Sequence, residues 1–260
     1  MSQFEVILSH VPPLLLVVFR LGGLMVFAPV FGSAAIPGRV KVFLSLVIGL
    51  AIYPLLSREV FAAHPLHLDL WSLAPLMATE LLIGLIVGYV AALPMIAVQT
   101  GGLIMGQQMG LGFASFYNPG LDDEADVVGQ ILFYLALAGF LLVGGHEALV
   151  LAILHTFEHV PLGQFVVDGS LIALITGLLL AAFELALRVA APVLAVVFLQ
   201  SVALGFITKT VPQLNILSLG FPMRILVGVT VVMLGLTVIN EVLMEAIDVT
   251  LTALFEWIES

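Results

Sequence analysis

Two histidines and a glutamate between positions 155 and 159 have the clearest spacing for chemistry in this sequence. His155, Glu158 and His159 form the pattern H-x-x-E-H, which in one class of zinc proteases places two imidazole ligands a helical turn apart with a glutamate base beside them. Pro161 would end such a helix just after the second histidine, and no motif marks a third protein ligand. We therefore keep an intramembrane metalloprotease only as a minor alternative, and we expect no enzyme, no bound metal and no cofactor.

Charged side chains within apolar stretches form a second group of candidates, because an unpaired charge there is costly and often marks a functional site. Glu184 and Arg188 are spaced i, i+4 with the acid first, which favours a structural ion pair on one helical face. Arg20 and Glu80 have no partner nearby in the sequence, so they either pair with each other or contact another subunit. We assign the same two roles, ion pair or inter-subunit contact, to two further basic residues, Lys209 and Arg224.

A glycine-rich segment at residues 101–119 is the most distinctive part of the chain. It combines glycine, glutamine, methionine and aromatic residues without a single charge, inside a charge-free stretch that runs from 81 to 121. We expect a helix up to about Val98 followed by irregular backbone, which such an apolar segment tolerates only when it is buried in protein or lines a cavity. The segment is either a closely packed helix contact or a pore constriction or plug, and we favour the second interpretation.

The composition determines the environment in which these groups can act. The chain has 260 residues, of which 62% are hydrophobic and 9% are charged, and its net charge is -10. A soluble domain carries about 25% charged residues, so the excess apolar surface must face lipid or protein, and a free soluble monomer is excluded. Intrinsic disorder needs low hydrophobicity. A nucleic-acid partner needs clustered basic residues, and the chain has only seven Lys and Arg in all.

Six apolar segments predict an all-α integral membrane fold, because their hydrophobic runs are continuous rather than alternating. Residues 241–260 add an amphipathic helix with an acidic stripe, which we expect to face water or a basic partner. A polytopic secondary transporter with a midplane substrate site is the alternative, but its two halves should repeat and we find no convincing internal repeat. The predicted segments are 11–31, 40–56, 70–98, 127–154, 171–207 and 221–240.

Several short motifs occur in order along the chain, and the most specific block is Pro212, Gln213, Leu214 and Asn215, followed by Gly220, Phe221 and Pro222. Together these motifs resemble the FliR/SctT family of type III secretion export gates, and the resemblance covers nearly all 260 residues. His155 departs from it, since a small residue such as serine is expected there. The other segments that carry the resemblance are 20–22, 28–32, 36–39, 108–119, 145–146, 155–157 and 160–163.

The resemblance implies a non-enzymatic subunit of a flagellar export gate in the bacterial inner membrane, at the basal body. Such a subunit would form, with several copies of FliP and FliQ, a channel for unfolded flagellar substrates, with FlhB attached and lipid around it. The chain would be one export-gate domain of bent helical hairpins, with a FliP-like portion at 1–182 and a FliQ-like hairpin at 183–260. The loop at about 106–122 would plug the closed channel through Gly106, Gln107, Gln108, Met109, Gly110, Leu111, Gly112, Phe113 and Phe116.

Overall fold

Seven α-helices and one short 3₁₀ turn make up the computed structural model, which describes residues 3–56, 70–112, 127–210 and 216–259. No strand occurs in these ranges, so the all-α prediction is confirmed. The helices are α1 Gln3–Phe27, α2 Gly38–Ile52 with the 3₁₀ turn Tyr53–Leu55 after it, α3 Leu70–Met109, α4 Val127–Leu142, α5 Gly145–His159, α6 Gly169–Thr210 and α7 Ile216–Glu259.

Helix α3 is longer than the sequence predicts. It continues without interruption from Leu70 to Met109. The prediction of irregular backbone after Val98 is therefore wrong for residues 99–109. Each glycine inside a helix costs about 1 kcal/mol relative to alanine. At Gly101 and Gly102 the close packing described below offsets that cost.

The predicted segment 127–154 is two helices rather than one. Gly144 adopts a left-handed conformation with φ 79° and separates α4 from α5. A residue with a Cβ adopts this backbone conformation at a cost, so the break occurs at a glycine.

Four of the described helices continue through internal prolines, among them α1 with Pro12 and Pro13 and α3 with Pro75 and Pro94. Helix α6 includes Pro192, and α7 includes Pro222 as well as the acidic C-terminal segment that was predicted as a separate helix. The amphipathic prediction for that segment is confirmed. Its apolar face is buried at Leu243, Ile247, Leu254 and Ile258, whereas Glu241, Glu245, Asp248, Glu256 and Glu259 are exposed.

Five helices of the described chain are long and apolar enough to cross a membrane, and the pair α4–α5 is a sixth candidate. The candidate spans in α3, α6 and α7 contain 39, 42 and 40 residues. At 1.5 Å per residue each is about 60 Å long, about twice the thickness of the hydrocarbon core. The three long helices therefore exceed what a simple crossing requires.

The chain divides into two compact units. Unit 1 consists of Met1–Leu93, Leu141–Leu178 and Val249–Ser260, and its core includes Leu16, Val17, Ile83, Val87 and Phe157. Unit 2 consists of Pro94–Phe140 and Leu179–Asp248, and its core includes Met105, Leu132, Ala136, Val193 and Val197. The predicted boundary between 182 and 183 lies within α6, and the division into FliP-like and FliQ-like portions stays a prediction.

Close contact between α1 and α3 shapes the centre of unit 1. A Cβ added to Gly23 would lie 2.9 Å from the backbone nitrogen of Leu85, and one added to Gly88 would lie 2.9 Å from the backbone nitrogen of Ala28. A Cβ on Gly84 would overlap the backbone carbonyl of Arg20. These glycines let the two backbones approach closely, as small residues do between membrane helices.

Candidate functional site

The buried ion pair of Arg20 and Glu80 lies where α1 and α3 approach each other in unit 1. Both side chains are fully buried, and the Nε of Arg20 donates to Oε2 of Glu80 at 2.6 Å. The two residues are 60 positions apart in the sequence. The structure thus decides between the two alternatives, because each charge finds its partner within this chain.

Three further groups complete the hydrogen bonding of this pair. Arg20 also donates from Nη1 to Thr156 Oγ1 at 3.1 Å and from Nη2 to the carbonyl of Val160 at 3.0 Å. The second oxygen of Glu80, Oε1, accepts the backbone N–H of Gly163 at 2.8 Å. Every guanidinium nitrogen and both carboxylate oxygens therefore have a partner, as a buried charge requires.

The sequence offered only an indirect signal for these additional partners. The segments 155–157 and 160–163 carry part of the family resemblance, but nothing in their composition links them to Arg20. In the structure the guanidinium also lies 4.2 Å from the ring centroid of Phe157, a cation–π contact. Since all these groups are occupied by one another, the cluster holds α1, α3 and α5 together and leaves no polar atom of the pair for a substrate.

The other charged candidates are not brought together. Glu184 and Arg188 are both exposed, and the ion pair predicted between them does not form; among the described residues the ion pairs are Arg20–Glu80 and His146–Glu147. On a solvent- or lipid-exposed helix face, the gain from such a pair is too small to fix two long side chains. Lys209 is exposed as well.

Arg224 on α7 has a polar neighbour on α6. Its Nη2 donates to Ser201 Oγ at 3.1 Å, and both residues line a cavity of about 320 Å³ together with Thr208. The guanidinium therefore meets the hydroxyl group of Ser201 at this position.

The glycine-rich segment begins as helix and ends in a turn. Gly106, Gln107, Gln108 and Met109 form the last turn of α3, which corrects the loop predicted to start at 106. Gly110 then adopts φ 86°, its N–H donates to Gln107 O at 3.0 Å, and the N–H of Leu111 donates to Gly106 O at 3.0 Å. This is a Schellman motif, which satisfies the last carbonyls of a helix and needs a residue that tolerates the left-handed conformation.

Two glycines of this segment act as packing positions within unit 2. A Cβ on Gly101 would lie 2.8 Å from the carbonyl oxygen of Ala186, and one on Gly102 would lie 2.7 Å from the backbone nitrogen of Gly129. Residues 101–109 thus form a closely packed helix contact, which is the first of the two interpretations of this segment. Of the other predicted site residues, Phe113 and Phe116 and the motif Pro212, Gln213, Leu214 and Asn215 lie outside the described residues.

Methionines line the inner side of the same helix end. Met105 and Met109 are fully buried, whereas Gln107 and Gln108 are exposed. Met105 borders a cavity of about 200 Å³ with Val193 and Val232. Met109 lies against Gly228 of α7 so closely that a Cβ there would displace the methionine side chain.

The three residues of the H-x-x-E-H pattern come together at the end of α5. That helix ends at His159, as the following proline predicts. Donor atoms of His155, Glu158 and His159 all lie within 4.8 Å of one another. This arrangement could hold a metal ion, although the sequence favoured the opposite expectation.

A carboxylate that lines the same cavity as His159 is fixed just before the start of α6. Asp168 Oδ1 accepts the N–H of Leu171 at 3.0 Å and the hydroxyl of Ser170 at 2.8 Å. The hydrogen bond from Leu171, and then that from Ser170, lower the pKa of Asp168 below its usual range, because both stabilise the anion. Asp168 and His159 line one cavity of about 430 Å³ in unit 1.

Comparison with known proteins places these features in a family. The model of the bacterial export proteins, family 1, matches residues 11–249. The chain is 31% identical to flagellar biosynthetic protein FliR of Escherichia coli (strain K12), over 81% of this chain and 79% of that protein. It is 28% identical to FliR of Bacillus subtilis (strain 168) over 94% of each. It is 27% identical to Yop proteins translocation protein T of Yersinia pestis over 68% of this chain and 67% of that protein.

Proposed function

The chain belongs to the bacterial export proteins, family 1, and on this basis we propose that it is a non-enzymatic core subunit of a flagellar type III protein export gate. It acts in the inner membrane at the flagellar basal body, in contact with lipid. There it assembles with FliP and FliQ, is joined by FlhB, and surrounds a channel for unfolded flagellar substrates.

The observation that carries this proposal is the uncovered apolar surface of the two longest helices. Within an apolar stretch of 18 residues in each helix, 22% of the residues of α6 and 6% of those of α7 are buried inside the chain. Such surfaces need lipid or other subunits to cover them, and the length of both helices exceeds what lipid alone can cover. Large exposed apolar side chains include Phe183, Phe198 and Phe206 on α6 and Leu226, Met233 and Leu234 on α7.

The charges of the same two helices support contacts between subunits. Residues 185–240 contain the basic side chains Arg188, Lys209 and Arg224 and no Asp or Glu, in a chain whose net charge is -10. A cation in an apolar segment is stabilised by an acidic partner or by lipid phosphate. Acidic residues of neighbouring subunits would provide that partner, and these three residues are our candidates for the contacts.

We assign the closed-channel plug to residues 106–122, which begin with the last helical turn of α3 and continue beyond the turn at Gly110. The Schellman turn at Gly110 anchors the start of the segment, with Met109 buried below it and Leu111 half-buried beyond it. Apolar side chains close a narrow pore by packing and by excluding water, and glycines permit the backbone to move aside when a substrate enters. Opening then requires a rearrangement of one short segment rather than of whole helices.

Deleting Gly110–Phe113 tests the plug directly. We expect cells that express the assembled gate with this deletion to leak small ions, because the pore loses part of its apolar seal. The measurement is ion conductance of the gate complex in planar bilayers, together with ion sensitivity of the cells.

A deletion of the same length at 33–36, where Ser33, Ala34 and Ala35 are exposed and Ile36 is half-buried, serves as the matched control and should leave conductance unchanged. Both complexes are first checked for assembly by co-purification with the partner subunits. Wild-type conductance in an assembled Gly110–Phe113 deletion would show that this segment does not seal the channel.

A further inference from the structure

Three potential metal ligands share one helical face at the end of α5. His155, Glu158 and His159 are spaced i, i+3 and i+4, so their side chains project from one face, and their donor atoms lie within 4.8 Å of one another. Two nitrogen ligands of one zinc ion are about 3.4 Å apart. Since Glu158 and His159 are exposed, small side-chain rotations can close the remaining gap.

The two imidazole rings are already oriented. Nδ1 of His159 lies 3.1 Å from the carbonyl oxygen of His155, so this nitrogen carries the proton and Nε2 keeps its lone pair. A ligand histidine commonly donates its other N–H to a carbonyl in this way, which fixes the tautomer and the ring. The rings of His155 and His159 are nearly parallel, with centroids 6.1 Å apart.

His155 is held by packing rather than by hydrogen bonds. Its ring lies edge-to-face against Phe255 of α7, with centroids 5.8 Å apart. Its Nδ1 is buried and has no hydrogen-bond partner in the described structure. The Nδ1 of this ring is therefore not used in a hydrogen bond, whereas the contact with Phe255 fixes the position of the ring.

The surroundings favour a cation. The cavity of about 430 Å³ beside His159 is lined by two carboxylates, Asp168 and Glu259. Of the three ligand residues, His159 lines this cavity. A three-ligand zinc site leaves its fourth position open to water. No basic side chain of the described residues lines it.

We propose that His155, Glu158 and His159 bind a divalent transition metal ion, with zinc as the ion of best fit. Two imidazoles and one carboxylate suit zinc, whereas calcium and magnesium prefer oxygen ligands alone. The fourth ligand is water. The proposal concerns binding, and it does not depend on the export function or on any hydrolytic activity.

Binding at this site would stabilise unit 1. Two residues next to these ligands in the sequence, Thr156 in the last turn of α5 and Val160 directly after it, accept hydrogen bonds from Arg20. An ion that joins positions 155, 158 and 159 fixes this turn in its helical form, and a ligand that binds only the folded state raises the unfolding temperature.

The test uses the full chain without a polyhistidine tag, purified in detergent in the complex with which it is expressed and stripped of metal with a chelator. Zn²⁺ is titrated in competition with a chromophoric chelator, and Co²⁺ is used to record an absorption spectrum. We expect the wild type to bind one more zinc ion per copy of the chain than the His159→Ala variant. The Co²⁺ spectrum of the wild type should be that of a four-coordinate ion, and Zn²⁺ should raise its unfolding temperature. The Glu158→Gln variant should bind about tenfold more weakly or worse.

His146→Ala is the matched control, because His146 lies on the same helix and its ionic neighbour among the described residues is Glu147. This variant should keep the ion, the spectrum and the thermal shift. Equal zinc stoichiometry and affinity in the wild type and in His159→Ala would overturn the proposal, as would loss of the ion in His146→Ala. Since His159 is exposed, its replacement leaves the fold intact.

Discussion

At the residue scale, the main finding is that a buried charge pair is used for structure. Arg20 and Glu80 each use all of their polar side-chain atoms on groups of this chain, from three helices and the turn after α5. A transporter with a midplane site would instead keep such charges open to a substrate cavity. The sequence marks both residues as candidates because burying an unpaired charge costs free energy. Their role nevertheless depends on partners that are distant in sequence.

Replacing Glu80 by glutamine should destabilise the protein strongly. The change leaves Arg20 as a buried cation without a counter-charge, which costs about 3–5 kcal/mol of unfolding free energy. Denaturant titration of the purified protein in detergent measures this difference. Glu184→Gln, on an exposed face, is the matched control and should change stability by less than about 0.5 kcal/mol.

The double variant Arg20→Met, Glu80→Leu distinguishes a lost interaction from an isolated charge. It should be more stable than Glu80→Gln, because neither charge is left buried alone. If Glu80→Gln alone were as stable as the wild type, the pair would have no structural role.

At the scale of helices, glycine positions decide which elements come close. The sequence shows Gly22 and Gly23 as neighbours with no visible difference, yet their surroundings differ. A Cβ at Gly23 would meet the backbone of α3, whereas a Cβ at Gly22 would meet nothing within 4 Å. The same reasoning applies to the end of α3. Its glycine-rich sequence predicts a loop, but it is helical because Gly101 and Gly102 pack against other helices.

The pair Gly23→Ala and Gly22→Ala tests this packing. We expect Gly23→Ala to separate α1 from α3 and to reduce stability by about 1–3 kcal/mol, since backbone atoms cannot move aside as a side chain can. Gly22→Ala should be neutral, or stabilising by up to about 1 kcal/mol, because alanine is the better helix former. Thermal unfolding of both variants in the same detergent gives the comparison, and equal effects would contradict it.

At the scale of the whole molecule, the low charge of the chain corresponds to apolar surface on particular helices. The sequence predicts apolar helices that face lipid or protein, and the structure shows that α6 and α7 leave most of their apolar surface uncovered while extending well beyond the length of one crossing. A surface of this kind is that of a subunit rather than of a self-contained membrane protein.

Co-expression tests the dependence on partners. Expressed with the FliP and FliQ proteins of its own organism, the chain should elute as one stable complex in size-exclusion chromatography. Expressed alone, it should aggregate or be degraded, because the apolar faces of α6 and α7 remain open. A monodisperse monomer that binds neither partner would contradict the proposed assembly.

The sequence by itself determined the properties that depend on neighbouring residues and on composition. These include the all-helical membrane character, the end of α5 before Pro161, the amphipathic pattern of residues 241–259 and membership of the export family. Each follows from local spacing, from hydropathy or from motif order, all of which can be read along one chain.

Only the tertiary structure decided which distant groups meet. Spacing along the sequence does not reveal that Arg20 binds Glu80 and Thr156, or that Gly102 packs against Gly129. It also does not reveal that Glu184 and Arg188, one helical turn apart, form no ion pair. The physical reason is that an exposed i, i+4 pair gains little, whereas a buried charge must find a partner wherever the packing of helices brings one.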